Sequence, residues 1–289
     1  MNPFQYARPA TVAEAVALLE EHGPDARLLA GGTDLVIELR NHWVEPKLVI
    51  DLKHIPELAP AITQRKGFLS ISAGTVMTDI AEDERVQHHL PALVEAAVVV
   101  GSVQIRARAK MAGNICNGSP AADTAPPLLV YDAVVVVAGP AGTRRVAVND
   151  FIVGPGKTDL QRGELVTAIE LPIPDRPYGA AYTRLTRRRG TDLASITLCA
   201  GVDAAGAARI AFGSVGPRAF LVEDESGLLG DPGIRIEDKV EPLDKMFELA
   251  SPSLKSLRAS PDYRLAMLRV LGARALETAL GRLTKELVG

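Results

Sequence analysis

Two short stretches of small and polar residues stand out in this chain of 289 residues. In LAGGTDL (29–35), an apolar run enters Gly31-Gly32, and Thr33-Asp34 lead into a new apolar-periodic segment. A tight Gly-Gly turn between strand and helix exposes backbone N–H groups, the donors that a phosphate takes. It serves equally as a plain connection between packed elements, and taken alone the residues leave both readings open. Neither nucleotide fingerprint fits: G-x-x-x-x-G-K-[ST] is missing, and so is G-x-G-x-x-G followed about 20 residues on by an acid. The second stretch, IRARAKMAGNICNGSPAADTAPPLL (105–129), sets Arg106, Arg108 and Lys110 before Gly113-Asn114. Asn117-Gly118-Ser119-Pro120 and the lone carboxylate of Asp123 follow, ahead of an apolar run. Small residues let a backbone approach a ligand closely, and the amide and hydroxyl donors suit phosphates and a polyol chain. An ordinary surface loop is the competing reading.

The elements that must position these stretches follow from periodicity. Thr11 opens a helix with its capping-box partner Glu14, and Val12, Ala15, Val16 and Leu19 form one face before the stop at Gly23-Pro24. Residues 28–30 and 48–52 read as short strands, so the first 52 residues run helix, strand, Gly loop, helix, strand. GFLSISAGT alternates, with Leu69, Ile71 and Ala73 on one face. Helices are predicted over 78–86, capped by Thr78, and over 91–100. Residues 133–139 and 144–148 form a hairpin, and the prolines Pro172 and Pro174 punctuate the chain. Beyond 175 come three alternating strands in an antiparallel meander, then helices at 243–249 and 263–279 and a short tail. The fold class is α+β.

Composition narrows the function. The net charge of −3 gives no field drawing the chain to nucleic acid or anionic lipid. The basic triplet Arg187-Arg188-Arg189 lacks interleaved aromatics and reads as a solvated turn, or as a contact for a partner or cofactor. The N-terminus has no secretory pattern, and no apolar run approaches the roughly 18 residues of a membrane span; a cytoplasmic location is expected. Two cysteines, Cys116 and Cys199, cannot by themselves build an Fe–S or structural zinc site, so no metal ligands are assigned. The five histidines form no catalytic arrangement, and no general acid or base is assigned.

Taken together, the two loops resemble those of the FAD-binding medium subunits of the molybdenum hydroxylases: carbon monoxide dehydrogenase, xanthine dehydrogenase, 4-hydroxybenzoyl-CoA reductase and their relatives. FQYARPATVAEAVALL is similar to the family's opening, LAGGTDL to its first pyrophosphate loop and AKMAGNICNGSPAADTAPPLL to its second FAD loop. GPGKTDLQRGELVTAIELP and YTRLTRRRGTDLASIT resemble its flavin-proximal segments, and SPDYRLAMLRVLGARAL its C-terminal helix. The resemblance implies a vanillyl-alcohol-oxidase (PCMH)-type FAD-binding domain over residues 1–175, with α/β subdomains of about 1–55 and 56–175. A C-terminal domain over 176–289 would follow, with a three-stranded antiparallel sheet and helices.

By position, the resemblance implies that Leu29, Ala30, Gly31, Gly32, Thr33, Asp34 and Leu35 cradle the FAD pyrophosphate. Lys110, Ala112, Gly113, Asn114, Asn117 and Ser119 complete the cradle. Asp123 points toward the ribityl or isoalloxazine part, Val166 lies against the ring, Arg184 stands where the family has a lysine near the flavin N1/O2 edge, and Asp192 is the acid of the same segment. The family's second loop reads Thr-Ile-Gly-Gly-Asn; here Lys110 replaces the hydroxyl and Ala112 a glycine. Lys110 can supply charge to the pyrophosphate, whereas Ala112 is strained if its position needs positive φ. The resemblance further implies a large partner subunit with the molybdenum cofactor, a small one with two [2Fe–2S] clusters, a dimer of heterotrimers, and NAD or a quinone as acceptor. Without the cysteine-rich insertion of some relatives, no [4Fe–4S] cluster is expected. The alternatives are a self-sufficient small-molecule flavin oxidoreductase of the same fold and a flavin-free assembly subunit.

Overall fold

The computed structural model describes residues 1–288. The chain opens with β1 (Gln5–Ala7), α1 (Val12–His22), β2 (Ala26–Leu29), α2 (Leu35–Arg40) and β3 (Leu48–Asp51). The strands form a parallel sheet in the order β1-β3-β2. Thr11 Oγ1 accepts the Glu14 N–H at 3.1 Å, while the Glu14 carboxylate reaches back one residue further than a standard box, to the Ala10 N–H at 2.7 Å. α1 stops at Gly23 (φ 51°), and Arg162 donates to the Glu20 and Glu21 carbonyls at 2.8 and 3.1 Å, satisfying its last turn.

Next come β4 (Ile62–Arg65) and β5 (Phe68–Ser72), then the short helices α3 (Met77–Glu82), α4 (Glu84–His89), α5 (Pro91–Ala97), α6 (Val103–Arg106), α7 (Met111–Cys116) and α8 (Ala125–Val130). β6 (Val134–Gly139), β7 (Gly142–Ala147), α9 (Val148–Phe151), β8 (Ile152–Gly154), β9 (Lys157–Thr158) and β10 (Leu165–Pro172) follow. An antiparallel sheet orders them β4-β5-β10-β6-β7. Leu69, Ile71 and Ala73 are buried, as the alternation predicts. The single helix expected over 78–86 is instead α3 and α4. Asp83 breaks it by adopting extended backbone (ψ 120°) and accepting the Arg85 and Val86 N–H groups at 3.0 and 3.2 Å, so Asp83 caps the second helix and Thr78 caps neither. α5 is shorter than the 91–100 reading, because the chain turns toward Gly101 (φ 55°).

The last part holds β11 (Tyr178–Leu185), β12 (Ile196–Asp203), β13 (Ala208–Gly213), β14 (Phe220–Glu223), α10 (Val240–Met246) and α11 (Pro261–Val288). The meander has four strands rather than three: β14 is a short, half-buried edge strand with no clean alternation to announce it. α11 runs unbroken through the expected tail, because Leu280 and Leu283 continue the buried stripe of Leu268, Leu271, Leu276 and Ala279. One face of this sheet (Tyr182, Cys199, Ala211) joins the core around Leu93, Leu128 and Leu129 of α5 and α8. The other (Ala181, Leu198, Ala200, Ile210) joins Leu268, Leu276 and Leu280 of α11. β12 is therefore buried on both faces over all but its last residue. Burial pushes the Cys116 and Cys199 thiols up, so both stay neutral, and both are free. No helix among the described residues is long and apolar enough to cross a membrane, and no group of three metal-ligating side chains occurs there.

Leu276 is fully buried between α11 and the sheet, whereas Leu257 is 97% exposed. Leu276→Ala is expected to cost about 3 kcal/mol in urea unfolding and Leu257→Ala essentially nothing. Equal stabilities would mean that α11 is not part of the cooperative core.

Candidate functional site

The first loop leaves β2 at Leu29 and enters α2 at Leu35. Gly32 sits at φ 75°, a conformation that side chains disfavour. The earliest α2 bonds run from Val36 N to Gly32 O (3.1 Å) and from Ile37 N and Glu38 N to Asp34 O (2.9 and 3.0 Å). The N–H groups ahead of them belong to the unsatisfied start of the helix and stay open for a ligand. Leu35 is buried and Leu29 packs beside it with Leu39 and Val49, so these two leucines anchor the loop by their side chains. Thr33 and Asp34 make only a weak mutual hydrogen bond at 3.5 Å.

The second loop lies directly against the first. A Cβ built on Gly31 would overlap the Arg108 carbonyl oxygen and stand 3.0 Å from its carbon, so only glycine lets the two backbones meet. The Arg108 segment is itself held: Ala109 O accepts the Met77 N–H at 2.9 Å, and Lys110 forms an antiparallel bridge with Val76. Lys110 then caps α7 with extended backbone. Ala112 lies inside α7 and is not among the positive-φ residues, so the exchange of glycine for alanine carries no backbone strain. Gly113, by contrast, faces open space: the nearest atom to a Cβ there would be Lys110 Cβ, at 4.0 Å. Asn114 is oriented by Thr124, whose hydroxyl donates to Asn114 Oδ1 at 2.6 Å. Gly118 (φ 58°) packs against Gly156 and Lys157, and Ser119 Oγ accepts the Ala121 N–H at 3.2 Å. Asn117 closes α7 through its backbone N–H to Gly113 O at 3.0 Å.

Lys110 is half-buried, and its ammonium makes no ion pair among the described residues. Burial lowers its pKa, Arg108 and Lys53 lower it further, and only Asp79 pulls it back. Lys53 was not singled out from the sequence. It is held by buried Asp51 at 2.6 Å, which also accepts the Tyr6 hydroxyl.

A second cluster, beginning next to Thr124, is charged. Asp123 and Arg184 pair at 3.2 Å with their side chains nearly buried, and the Tyr182 hydroxyl donates to Asp123 Oδ1 at 2.6 Å. Burial pushes the Asp123 carboxyl above its ordinary value, against the pull of Tyr182 and Arg184. Sequence reading missed Tyr182 because an aromatic at a buried-type position of an alternating strand looks like core. Its odd spacing partner Arg184, on the same strand face, was the available signal. Two named residues stand apart from these contacts. Val166 is buried in the main core on β10, and Asp192 lies on the β11–β12 connection, where Arg187 holds its pKa at about 2.

Open backbone N–H groups and an ammonium suit a diphosphate, and the Thr124–Asn114 hydrogen bond ties the second loop to the residue beside Asp123 of the guanidinium–carboxylate pair. The open space at Gly113 lies in the same loop. The chain belongs to the family described as the FAD binding domain in molybdopterin dehydrogenase, which matches residues 2–174, and FAD is its cofactor. It is 32% identical over 280 residues to the xanthine dehydrogenase FAD-binding subunit of Escherichia coli O157:H7, covering 95% of each chain. It is also 32% identical over 282 residues to the carbon monoxide dehydrogenase medium chain of Hydrogenophaga pseudoflava, covering 96% of this chain and 98% of that one. In structure it is similar to a chain of the carbon monoxide dehydrogenase of that organism, with TM-score 0.90, 34% identity and coverage of 98% and 99%. Quinoline 2-oxidoreductase of Pseudomonas putida 86 gives TM-score 0.89 at 29% identity, covering 97% and 98%.

Gly31→Ala is expected to force the loops apart, lower the melting temperature and weaken FAD binding more than tenfold. Gly113→Ala is expected to leave the melting temperature unchanged, because its methyl meets open space, while still weakening binding if that space receives the cofactor. Flavin fluorescence titration and thermal melts read both.

Proposed function

We propose that this chain is the electron-transfer subunit of a heterotrimeric molybdenum hydroxylase. It takes electrons from the [2Fe–2S] clusters of a small subunit and passes them to NAD or another acceptor, while a large subunit holds the molybdenum cofactor. The assembly is a dimer of heterotrimers in the cytoplasm. The observation that carries this reading is the end-to-end similarity to the medium chain and FAD-binding subunit of such dehydrogenases, combined with the contact between the two loops. Bound FAD supplies the redox chemistry, and the protein supplies binding, orientation and electrostatics.

Each residue then has a physical task. The backbone of 30–34 and the start of α7 at Ala112 and Gly113 donate N–H groups to the diphosphate. Lys110 contributes the cation that replaces the family's hydroxyl, and Asn114, oriented by Thr124, offers its amide. Asn117 and Ser119 line the same loop. Asp123 and Arg184 meet the polyol and ring end, where Arg184 stabilises negative charge on the reduced cofactor. Val166 and Asp192 are assigned to the ring side and to the segment that carries Arg184.

Purification under gentle conditions is expected to yield this chain with two further subunits, molybdenum, iron and FAD. A chain that turns over a substrate by itself, or that associates with no such subunit, overturns the proposal. Lys110 gives a pH test with a definite sign. Its pKa is lowered in the free protein and rises toward the ordinary lysine value beside a diphosphate, so binding takes up a proton between the two values. FAD affinity therefore falls as pH rises through that alkaline window and also falls with added salt. In Lys110→Met both dependences flatten, as read by FAD titration across pH and NaCl.

A further inference from the structure

Arg184 meets Asp123 in an uncommon way. Its Nη1 alone serves both carboxylate oxygens, at 3.3 Å to Oδ1 and 3.2 Å to Oδ2. An arginine–carboxylate pair ordinarily closes as a fork, with two nitrogens on two oxygens. Here the Tyr182 hydroxyl sits 2.6 Å from Oδ1 and competes for that oxygen, so the second guanidinium nitrogen is left unengaged. Tyr182 and Arg184 lie on the same face of β11, and Tyr182 is nine-tenths buried, so its ring cannot swing away. Its backbone is also fixed, because the Tyr182 N–H donates to Glu95 Oε2 at 2.8 Å, and Glu95 in turn pairs with Arg282 of α11.

We propose that Tyr182 is a positioning residue. Its hydroxyl pins the Asp123 carboxylate so that Arg184 engages it through one nitrogen, and the guanidinium's Nε and Nη2 remain available to the negative charge of the reduced cofactor. The inference rests on the FAD reading above and adds a residue to it. Without the phenol, Asp123 rotates into a two-pronged pair with Arg184 and withdraws those donors.

The test is redox titration of FAD bound to the full-length chain with the subunits it carries. Tyr182→Phe keeps the ring and the core packing. It is expected to lower the preference for reduced over oxidised FAD about tenfold, which is about 30 mV for a two-electron couple, with oxidised FAD still bound. In an Arg184→Met background the same substitution is expected to leave the potential unchanged, an outcome that a merely structural role for Tyr182 would not produce. Asp123→Asn provides a second arm: it frees Arg184 and raises the potential, and Tyr182→Phe adds nothing to it. FAD bound to Tyr182→Phe at the wild-type potential, or a shift of equal size in the Arg184→Met background, overturns the inference alone. So does Asp123→Asn at the wild-type potential. A wild-type chain that binds no FAD overturns the functional reading itself.

Discussion

The contact between the Gly31 backbone and the Arg108 carbonyl decides how the proposed cofactor cradle is built, since it leaves no room for a side chain and so sets the two loops at backbone distance. Each loop is anchored independently of the other. Leu29 and Leu35 pin the first by packing, and the Met77–Ala109 hydrogen bond and the Val76–Lys110 bridge pin the second. The Gly118 turn leans on the β8–β9 hairpin. With both sides held by the surrounding core, the donors of the proposed cradle would meet a diphosphate already in place, with little ordering entropy to oppose binding.

The charged cluster follows another rule. Its carboxylate comes from the loop before α8, whereas its phenol and guanidinium come from β11. A charge pair so nearly buried is costly unless its remaining hydrogen-bonding capacity is met, and the Tyr182 hydroxyl meets part of it. The candidate groups therefore come from both halves of the chain: backbone N–H groups and the Lys110 ammonium from the first, and a carboxylate–guanidinium pair that joins the two.

Local patterns carried much of this in advance. The Thr11–Glu14 cap, the Leu69-Ile71-Ala73 face and the Gly-Gly loop were legible because each depends on residues close in sequence. The reading failed where a competing local interaction or a distant contact decides. Asp83 outcompeted Thr78 as a cap and split one helix into two. β14 exists because β13 offers it an edge to pair with, and the end of α11 because the sheet offers it a surface. Family pattern raised a concern at Ala112 that the backbone removes, since a helical residue needs no positive φ. Tyr182 looked like core because its hydroxyl's partner is 59 residues away in the chain, and only the neighbouring Arg184 on its strand face hinted at a polar role.

The burial of β12 on both faces bears on how the polypeptide tolerates rearrangement. Pattern and strand order divide the chain near residue 175, but its interior does not divide there, because Tyr182, Cys199 and Ala211 are packed into the same apolar mass as Leu93 and Leu128. Cutting the chain at that point would leave the first part with a bare greasy surface on α5 and α8, and would leave the second with one side of its sheet uncovered. The outer ends carry no such penalty: Met1 and Val288 are both largely exposed. A break in the middle would therefore open the shared interior, whereas changes at these exposed positions would not touch it.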